Sequence, residues 1–178
     1  MDEYAERAMA RAEPTHYLRA RLDTLPELAR EVRTPPYADG RLGLRSNLWF
    51  AMEGTVSQLH FDLPHNLVVQ LHGRKRFILF SDRDSRSVYP HSFRSSTPHL
   101  SRVDPEAPDL ERFPRLRRAR PLECVLEPGD ALFIPRRFWH HARALTPSIS
   151  TNFWWCDPLT YPVLLASDLY KRVRGLNI

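Results

Sequence analysis

The sequence predicts a domain with an all-β core, folded as a jelly-roll barrel with flanking helices at both ends. Eight short segments between residues 47 and 155 have the composition of strands and are separated by turn residues. No helical pattern interrupts them, and one long insertion, residues 82–121, divides them. The chain has 178 residues, which is the size of a single domain, and we predict one domain over residues 1–178.

A helical lead-in is predicted for residues 1–45. The segment Tyr4–Ala12 is rich in Ala, Glu and Arg. Apolar residues then recur near helical spacing at Tyr17, Leu18, Leu22, Leu25 and Leu28, with an interruption at Pro26. Thr34-Pro35-Pro36 ends the helical pattern, and a polar loop follows to Arg45.

The predicted barrel covers residues 46–156. Its eight strands are Asn47–Glu53, Ser57–Asp62, Asn66–His72, Lys75–Ser81, Leu122–Glu127, Ala131–Pro135, His140–Leu145 and Ser148–Trp155. The insertion is rich in Pro, Ser and Arg, and we expect it to lie over one mouth of the barrel. A C-terminal helical region, residues 158–176 with a helix at Pro162–Val173, is expected to cap the barrel or to pair with a second copy in a homodimer.

Charge and composition restrict the class of protein. The formal net charge is +5, and only Lys75 and Lys171 among the 26 basic residues are lysines. This charge permits acidic partners such as nucleic acid, but the densest run, Arg112–Arg120, is broken by Pro114 and is interpreted as a solvated loop. Cys124 and Cys156 have no redox or ligand spacing. With no signal peptide or membrane span, an intracellular protein, cytoplasmic or nuclear, is expected.

Two histidines and one aspartate form a candidate metal site. His60 and Asp62 are two residues apart, so on a strand both side chains point to the same face. A third ligand is needed, and His140 lies in another strand that can fold back beside them. Two histidines and one carboxylate leave three coordination positions open, which suits non-haem Fe(II) and oxygen chemistry. An isolated H-x-D is common by chance, so the surrounding sequence has to support the hypothesis.

Strand parity leaves two further questions open. In Lys75–Phe80, Lys75 shares a face with Phe77, whereas Arg76 shares the other face with Ile78. Parity does not decide which cation is inside, and a lysine at the end of a strand often extends to solvent. On the last strand Ser150, Asn152 and Trp154 share one face, and Asn66 begins another strand. Both asparagines are either polar groups awaiting a partner or turn residues at strand ends.

The order and spacing of several motifs resemble a known family. The motifs are His60-Phe61-Asp62, the run Asn66 to Lys75, Tyr89-Pro90-His91, Asp109 to Pro114, Glu127 to Pro135, Trp139-His140 and Phe153-Trp154-Trp155. Between Tyr17 and Trp155 the chain resembles the JmjC hydroxylases of the cupin superfamily, in particular the subgroup of JmjC domain-containing protein 5, or lysine-specific demethylase 8. These are Fe(II)- and 2-oxoglutarate-dependent oxygenases with a double-stranded β-helix fold.

The resemblance implies a role for individual residues. His60, Asp62 and His140 would be the iron ligands. Lys75 would pair with the distal carboxylate of 2-oxoglutarate, Tyr17, Ser57 and Asn66 would complete that pocket, and Trp49 would pack nearby. Asn152 matches an inward position that relatives often fill with a polar residue near the metal. With O2 as the second cosubstrate, no side chain is required as a nucleophile.

The resemblance also implies a class of substrate. A protein or peptide side chain is expected, by arginine hydroxylation or lysine demethylation, and a cousin subgroup that acts on a tRNA base provides an alternative. Two other classes of protein compete with the oxygenase hypothesis. One is a metal-binding cupin without oxygenase activity, and the other is a truncated pseudo-enzyme that acts as a binding module. Relatives carry further elements before the point where this chain begins, so a minimal member or an incomplete gene model is expected.

Overall fold

The computed structural model describes residues 17–36 and 38–173. Within them, nine strands and two α-helices follow one another along the chain. Their bounds are β1 (Tyr17–Arg21), α1 (Pro26–Glu31), β2 (Leu42–Ala51), β3 (Val56–Phe61), β4 (His65–His72), β5 (Lys75–Phe80), β6 (Leu122–Leu126), β7 (Ala131–Ile134), β8 (Trp139–Ala144), β9 (Ser148–Cys156) and α2 (Tyr161–Val173). Short 3₁₀ helices occupy Leu22–Thr24, Asp82–Asp84 and Pro114–Arg118.

The strands form two antiparallel sheets that face each other. The five-stranded sheet has the order β1-β2-β9-β4-β7, and the four-stranded sheet has the order β3-β8-β5-β6. Apolar side chains from both sheets meet in one buried cluster, which contains Val68, Phe77, Leu79, Leu126 and Ile134. Two sheets with alternating inward residues and no intervening helices form a jelly roll, so the predicted all-β fold class is confirmed. Each of the eight predicted strands is present, with ends that shift by a few residues or, at β2, by five.

The predicted helical lead-in is wrong for residues 17–21. These residues form β1, which pairs with β2 from Tyr17 opposite Ala51 to Arg21 opposite Asn47. β2 would otherwise be an edge strand with unpaired backbone groups, and pairing with β1 satisfies them. The predicted helical pattern forms an α-helix only at Pro26–Glu31. Pro26 occupies the first turn of this helix, α1, and does not interrupt a longer one. The segment Tyr4–Ala12 lies outside the described residues.

The insertion does not lie over a mouth of the barrel, as predicted, but covers the outer face of the four-stranded sheet. Leu59, Ile78 and Trp139 point away from the barrel interior, because they alternate with residues that face inward. They are buried in one cluster with five apolar residues of the insertion, Val88, Tyr89, Val103, Phe113 and Leu116. The sequence pattern missed this second core because its residues are scattered among Pro, Ser and Arg.

The insertion also covers the free edge of β3. The Ser101 backbone N–H donates to the Leu59 carbonyl at 2.8 Å, and the Phe61 N–H donates to the His99 carbonyl at 3.1 Å. These bonds satisfy backbone groups on both sides of His60, which forms an isolated bridge with Leu100. The insertion therefore holds in place the strand that carries the first candidate metal ligand.

One carboxylate fastens the insertion to the sheet. Glu106 accepts hydrogen bonds from Arg143 Nε at 2.7 and 2.9 Å, and lies 3.6 Å from Arg76 Nη1 and 3.7 Å from His141 Nε2. The hydrogen bond from Arg143 is the main cause that holds the pKa of Glu106 below its usual value. Arg76, His141 and Arg143 belong to β5 and β8, so Glu106 joins the insertion to the strands on which Lys75 and His140 lie.

Replacing Glu106 by glutamine should loosen the insertion. The variant leaves Arg143 without its charge partner, and we expect the free energy of unfolding to fall by roughly 1–3 kcal/mol. Because folding depresses the pKa of Glu106, its stabilisation is present above the unfolded value of 4.5 and is lost as the pH falls below it. Hydrogen exchange of residues 82–121 measures the effect. Glu123→Gln is the matched control, since Glu123 bonds Arg76 at an exposed position; equal exchange in both variants would contradict the role of Glu106.

The chain ends, within the described residues, in the predicted helix α2. A Cβ atom at Gly43 of β2 would lie 3.0 Å from the ring of Tyr161, and Gly43 has a φ of +65°, so both space and backbone conformation favour glycine there. Val163, Leu165 and Leu169 of α2 are exposed. Pairing of this helix with a second copy stays a prediction. No described helix is long and apolar enough to cross a membrane.

Candidate active site

A cavity opens between the two sheets and contains nearly all of the predicted site residues. Its volume is about 470 Å³ including the open mouth. β2, β4 and β9 supply one wall, and β3, β5 and β8 supply the opposite wall. The lining residues are Trp49, Ser57, His60, Asp62, Asn66, Val68, Lys75, Phe77, His140, Ala142, Ser150, Asn152 and Trp154.

The predicted metal ligands converge at this cavity. β3 and β8 are neighbours, and their register sets His60 directly opposite His140. The two imidazole rings lie with centroids 4.2 Å apart, and Nε2 of His140 is 3.6 Å from Oδ2 of Asp62. One ligand atom from each of the three residues lies within 4.8 Å of the others. This geometry offers two nitrogens and one carboxylate oxygen to a single cation.

Backbone carbonyls determine which nitrogen of each histidine is free. Nδ1 of His60 lies 2.6 Å from the carbonyl of Gln58, and Nδ1 of His140 lies 3.0 Å from the carbonyl of Phe138. A carbonyl only accepts, so each Nδ1 carries a proton, and Nε2 is the ring nitrogen left to bind a metal. Burial is the main cause that lowers the pKa of His140 to about 4, so its ring is neutral at physiological pH. In both rings the carbonyl contact at Nδ1 thus orients Nε2 as the atom that would bind a metal.

The aspartate of the site has an unsatisfied oxygen. Oδ2 of Asp62 is buried and accepts no hydrogen bond from any described residue. A buried carboxylate oxygen without a donor is costly unless a cation neutralises it. The donor set, the free Nε2 atoms and this oxygen therefore fit a divalent metal of the Fe(II) class.

The neighbouring histidine faces the other way. His141 is buried on the outer face of the sheet and approaches Glu106 rather than the cavity. It forms a second group of potential ligands with Asp104 and Glu106. Because Glu106 is already hydrogen-bonded by Arg143, that group is satisfied as an ion-pair network. The structure thus separates two adjacent histidines by strand parity.

An isolated ammonium lies in the same cavity. Lys75 is 8% exposed, and its Nζ donates to Ser150 Oγ at 2.7 Å. No carboxylate of the described residues lies within ion-pairing distance of Nζ, and burial lowers the pKa of Lys75 to about 8. Arg76 points to the outer face, where it pairs with Glu123. The inward cation that sequence parity left undecided is therefore Lys75.

Buried amides line the wall opposite the strand of Lys75, and the Lys75 ammonium reaches this wall through its bond to Ser150. Asn152 Oδ1 accepts from Trp49 Nε1 at 3.0 Å and from Asn47 Nδ2 at 3.1 Å. Asn152 Nδ2 donates to Asn66 Oδ1 at 3.0 Å. Asn66 and Asn152 are thus buried and hydrogen-bonded inside strands, and they are not turn residues.

One predicted residue lies outside the cavity lining, and five lining residues were missed. Tyr17 is 41% exposed, and its ring packs against Trp49 with centroids 5.2 Å apart. The missed residues are Val68, Phe77, Ala142, Ser150 and Trp154. Each lies two residues from a predicted site residue on the same strand, so counting in twos along each strand would have found them.

Comparisons with known proteins agree with this class of fold and site. The profile of the cupin-like domain family matches residues 1–161. The chain therefore belongs to the cupin-like domain family, in its JmjC branch. The resemblance predicted from the sequence motifs is confirmed.

Several curated relatives carry JmjC-related names. The chain is 44% identical over 138 residues to "Lysine-specific demethylase 8" of Danio rerio, covering 75% of this chain and 34% of the relative. It is 34% identical over 140 residues to "Jumonji C domain-containing protein 5" of Drosophila melanogaster, covering 74% of this chain and 34% of the relative. It is also 34% identical over 130 residues to "tRNA wybutosine-synthesizing protein 5" of Danio rerio, covering 73% of this chain and 38% of the relative. The chain thus spans about a third of the length of these relatives.

A solved structure supports the fold. The E. coli protein ycfD aligns with 94% of this chain and 40% of its own, with a TM-score of 0.52 and 21% sequence identity. At this identity the likeness concerns the arrangement of strands, and it agrees with the two-sheet jelly roll described above.

Proposed function

We propose that the protein is an Fe(II)- and 2-oxoglutarate-dependent oxygenase that hydroxylates a protein side chain. The observation that carries the proposal is the buried ammonium of Lys75, which has no anion within reach in the described residues and shares one cavity with the three candidate metal ligands. A plain metal-binding cupin has no need of such a lysine. A dicarboxylate bound between the metal and Lys75 would neutralise both.

Fe(II) would be held by His60, Asp62 and His140, whose Nε2 and carboxylate atoms already converge. When bound, it supplies the reaction of O2 with 2-oxoglutarate, in which one oxygen atom enters succinate as CO2 leaves and the other is inserted into a substrate C–H bond. The chain itself supplies position and a dry environment. Lys75, Ser57 and Asn66 offer donors to the cosubstrate, while Phe77 and Val68 exclude water beside them.

A relative named for lysine demethylation supports a protein substrate of the lysine demethylase type, and arginine hydroxylation is the other reaction that the sequence resemblance implies. The two outcomes share their first step. A hydroxyl group placed on a carbon that bears nitrogen can leave as formaldehyde, which gives demethylation, whereas a hydroxyl group on another carbon is stable. The same cavity chemistry therefore serves both, and the position of the substrate C–H bond decides between them.

An arginine surface on the insertion favours RNA as a second candidate substrate. Arg112, Arg115, Arg117, Arg118 and Arg120 are exposed and form no ion pair with any described carboxylate. Phe113 and Leu116 between them are buried, so the predicted solvated loop is instead a short helix fixed on the core. A rigid, unneutralised basic surface suits phosphate binding. A relative named for tRNA wybutosine synthesis agrees with this candidate.

Turnover assays test the proposal. The protein with Fe(II), ascorbate and 2-oxoglutarate should form succinate, and either an arginine-containing peptide should gain the mass of one oxygen atom or a methyllysine-containing peptide should lose a methyl group. A matched assay with tRNA tests the second candidate, where binding should weaken steeply as salt is added. Absence of succinate with iron and 2-oxoglutarate bound would favour a non-oxygenase cupin, and absence of 2-oxoglutarate binding would contradict the proposal.

A further inference from the structure

One residue fixes the donor-to-acceptor direction of the series of side-chain hydrogen bonds that runs from Trp49 through Asn152 to Asn66. Trp49, Asn152 and Asn66 form consecutive hydrogen bonds of 3.0 Å, and all three residues line the cavity. An asparagine amide can turn over and exchange its donor and acceptor ends, so a chain of asparagines alone has no fixed direction. An indole N–H can only donate. The atom of Asn152 that faces Trp49 must therefore be its oxygen.

The orientation of the Asn152 amide then fixes the orientation of the Asn66 amide. With Oδ1 of Asn152 facing Trp49, Nδ2 of Asn152 faces Asn66, and the atom of Asn66 that receives it must be Oδ1. The remaining atom of Asn66 is the donor Nδ2, which has no acceptor among the described residues. Nδ2 of Asn66 is not one of the fully buried atoms without a hydrogen bond. It therefore keeps some exposed surface, on the side of the cavity that Asn66 lines.

Asn47 does not fix this direction. Its Nδ2 donates to the same oxygen of Asn152 at 3.1 Å. As an amide it can turn and offer its oxygen instead, so it follows the orientation of Asn152 and cannot impose one. Trp49 is the only member of this group of four whose hydrogen-bonding role is fixed by its chemistry.

We infer that Trp49 and Asn152 are positioning residues that hold Asn66 as a hydrogen-bond donor toward the anionic cosubstrate. The inference rests on the proposed function, because the anion is the 2-oxoglutarate that Lys75 would pair with. Asn66 and Lys75 then present donors from opposite walls of one cavity, on β4 and β5. If Asn66 turned over, the cosubstrate carboxylate would meet an acceptor oxygen and lose a hydrogen bond.

The variant Asn152→Asp should reverse the orientation of the Asn66 side-chain amide. A carboxylate accepts from Trp49 and Asn47 as before but has no donor for Asn66, which must turn to donate to it and so presents Oδ1 to the cavity. We expect the Kd of 2-oxoglutarate for the Mn(II)-loaded protein, measured by calorimetry, to rise by about tenfold or more. In the protein loaded with diamagnetic Zn(II) instead of Mn(II), 2-oxoglutarate should shift the side-chain amide resonance of Asn66, and in Asn152→Asp this resonance should no longer respond.

A double-mutant cycle separates orientation from the added negative charge. In the Asn66→Ala background, Asn152→Asp should change the Kd by less than about twofold, because the amide through which it acts is gone. An equal rise in both backgrounds would overturn the inference, since the charge would then act directly. Thr151→Val is the matched control for disturbance of β9: Thr151 is buried and bonds the Asn47 carbonyl at 3.0 Å, and it does not line the cavity.

The outcomes for the inference and for the proposed function are distinct. If the unmodified Mn(II) protein binds 2-oxoglutarate but the cycle is additive, the inference fails and the oxygenase proposal stands. If the unmodified protein binds no 2-oxoglutarate, both fail. If the Thr151→Val control matches the loss seen in Asn152→Asp, the effect comes from strand distortion, and the inference fails again.

Discussion

Replacing Asp62 by asparagine should remove the metal from the protein without unfolding it. Asp62 is the one carboxylate of the candidate triad, and its Oδ2 is buried without a hydrogen bond. Asparagine has nearly the same shape but no charge and a weaker ligand oxygen. We expect the affinity for Fe(II), or for Mn(II) as a redox-stable substitute, to fall by at least about 100-fold, since loss of an outer contact alone costs 10- to 100-fold.

The stability of this variant distinguishes a metal ligand from a structural carboxylate. In the metal-free protein the buried oxygen costs free energy, so Asp62→Asn should leave the Tm unchanged or raise it, by the equivalent of about 1 kcal/mol. Thermal unfolding with and without Mn(II) measures both effects. Asp82→Asn, which removes an exposed partner of Arg137, is the control and should retain metal. A lower Tm for the metal-free Asp62→Asn protein, with metal binding retained, would contradict the metal-ligand role.

Side-chain alternation explains why much of the site could be predicted. His60 and Asp62 are two apart, and the opposite register of His140 follows once β3 and β8 pair. The choice of His140 over His141 needs only the rule that adjacent strand residues face opposite ways. The inward orientation of Lys75 could not be predicted from the sequence. Parity shows that Lys75 and Arg76 lie on opposite faces of β5, but it does not show which face points inward. The structure decides it through the bond to Ser150 and the ion pair of Arg76 with Glu123.

The errors have a common physical cause, which is that tertiary pairing overrides local pattern. Leu18 and Leu22 have helical spacing, but the free edge of β2 provides hydrogen bonds that turn Tyr17–Arg21 into a strand. Tyr17 consequently lies beside Trp49 and outside the cavity lining, and its part in the cosubstrate pocket stays a prediction. The insertion has no periodicity, so its burial on the sheet through Tyr89, Phe113 and Leu116 could not be read from the sequence.

Replacing Lys75 by methionine should have opposite effects on ligand binding and on the stability of the ligand-free protein. Methionine fills similar space without the ammonium, so 2-oxoglutarate loses its charged partner, and we expect the affinity to fall by about 100-fold. Calorimetry on the Mn(II)-loaded protein measures it. Arg76→Met, on the same strand but the outer face, is the matched control and should bind 2-oxoglutarate normally.

The stability effect follows from proton linkage. Burial lowers the pKa of Lys75 from 10.5 to about 8, so between these values the unfolded chain binds more protons than the folded protein. The stability of the ligand-free protein should therefore rise with pH across that window, and Lys75→Met should abolish this rise. At neutral pH the burial penalty is about 3 kcal/mol and the bond to Ser150 offsets about 1 kcal/mol, so the variant should be about 2 kcal/mol more stable.

Binding of the cosubstrate should show the converse dependence on pH. A dicarboxylate favours the ammonium form of Lys75, so the affinity of the unmodified protein for 2-oxoglutarate should fall as the pH rises through about 8, where the ammonium is lost. In Lys75→Met this step should be absent. A protein whose affinity is constant from pH 7 to pH 9, or a methionine variant that is less stable yet binds as before, would mean that Lys75 is a structural residue and that the cavity takes a different ligand.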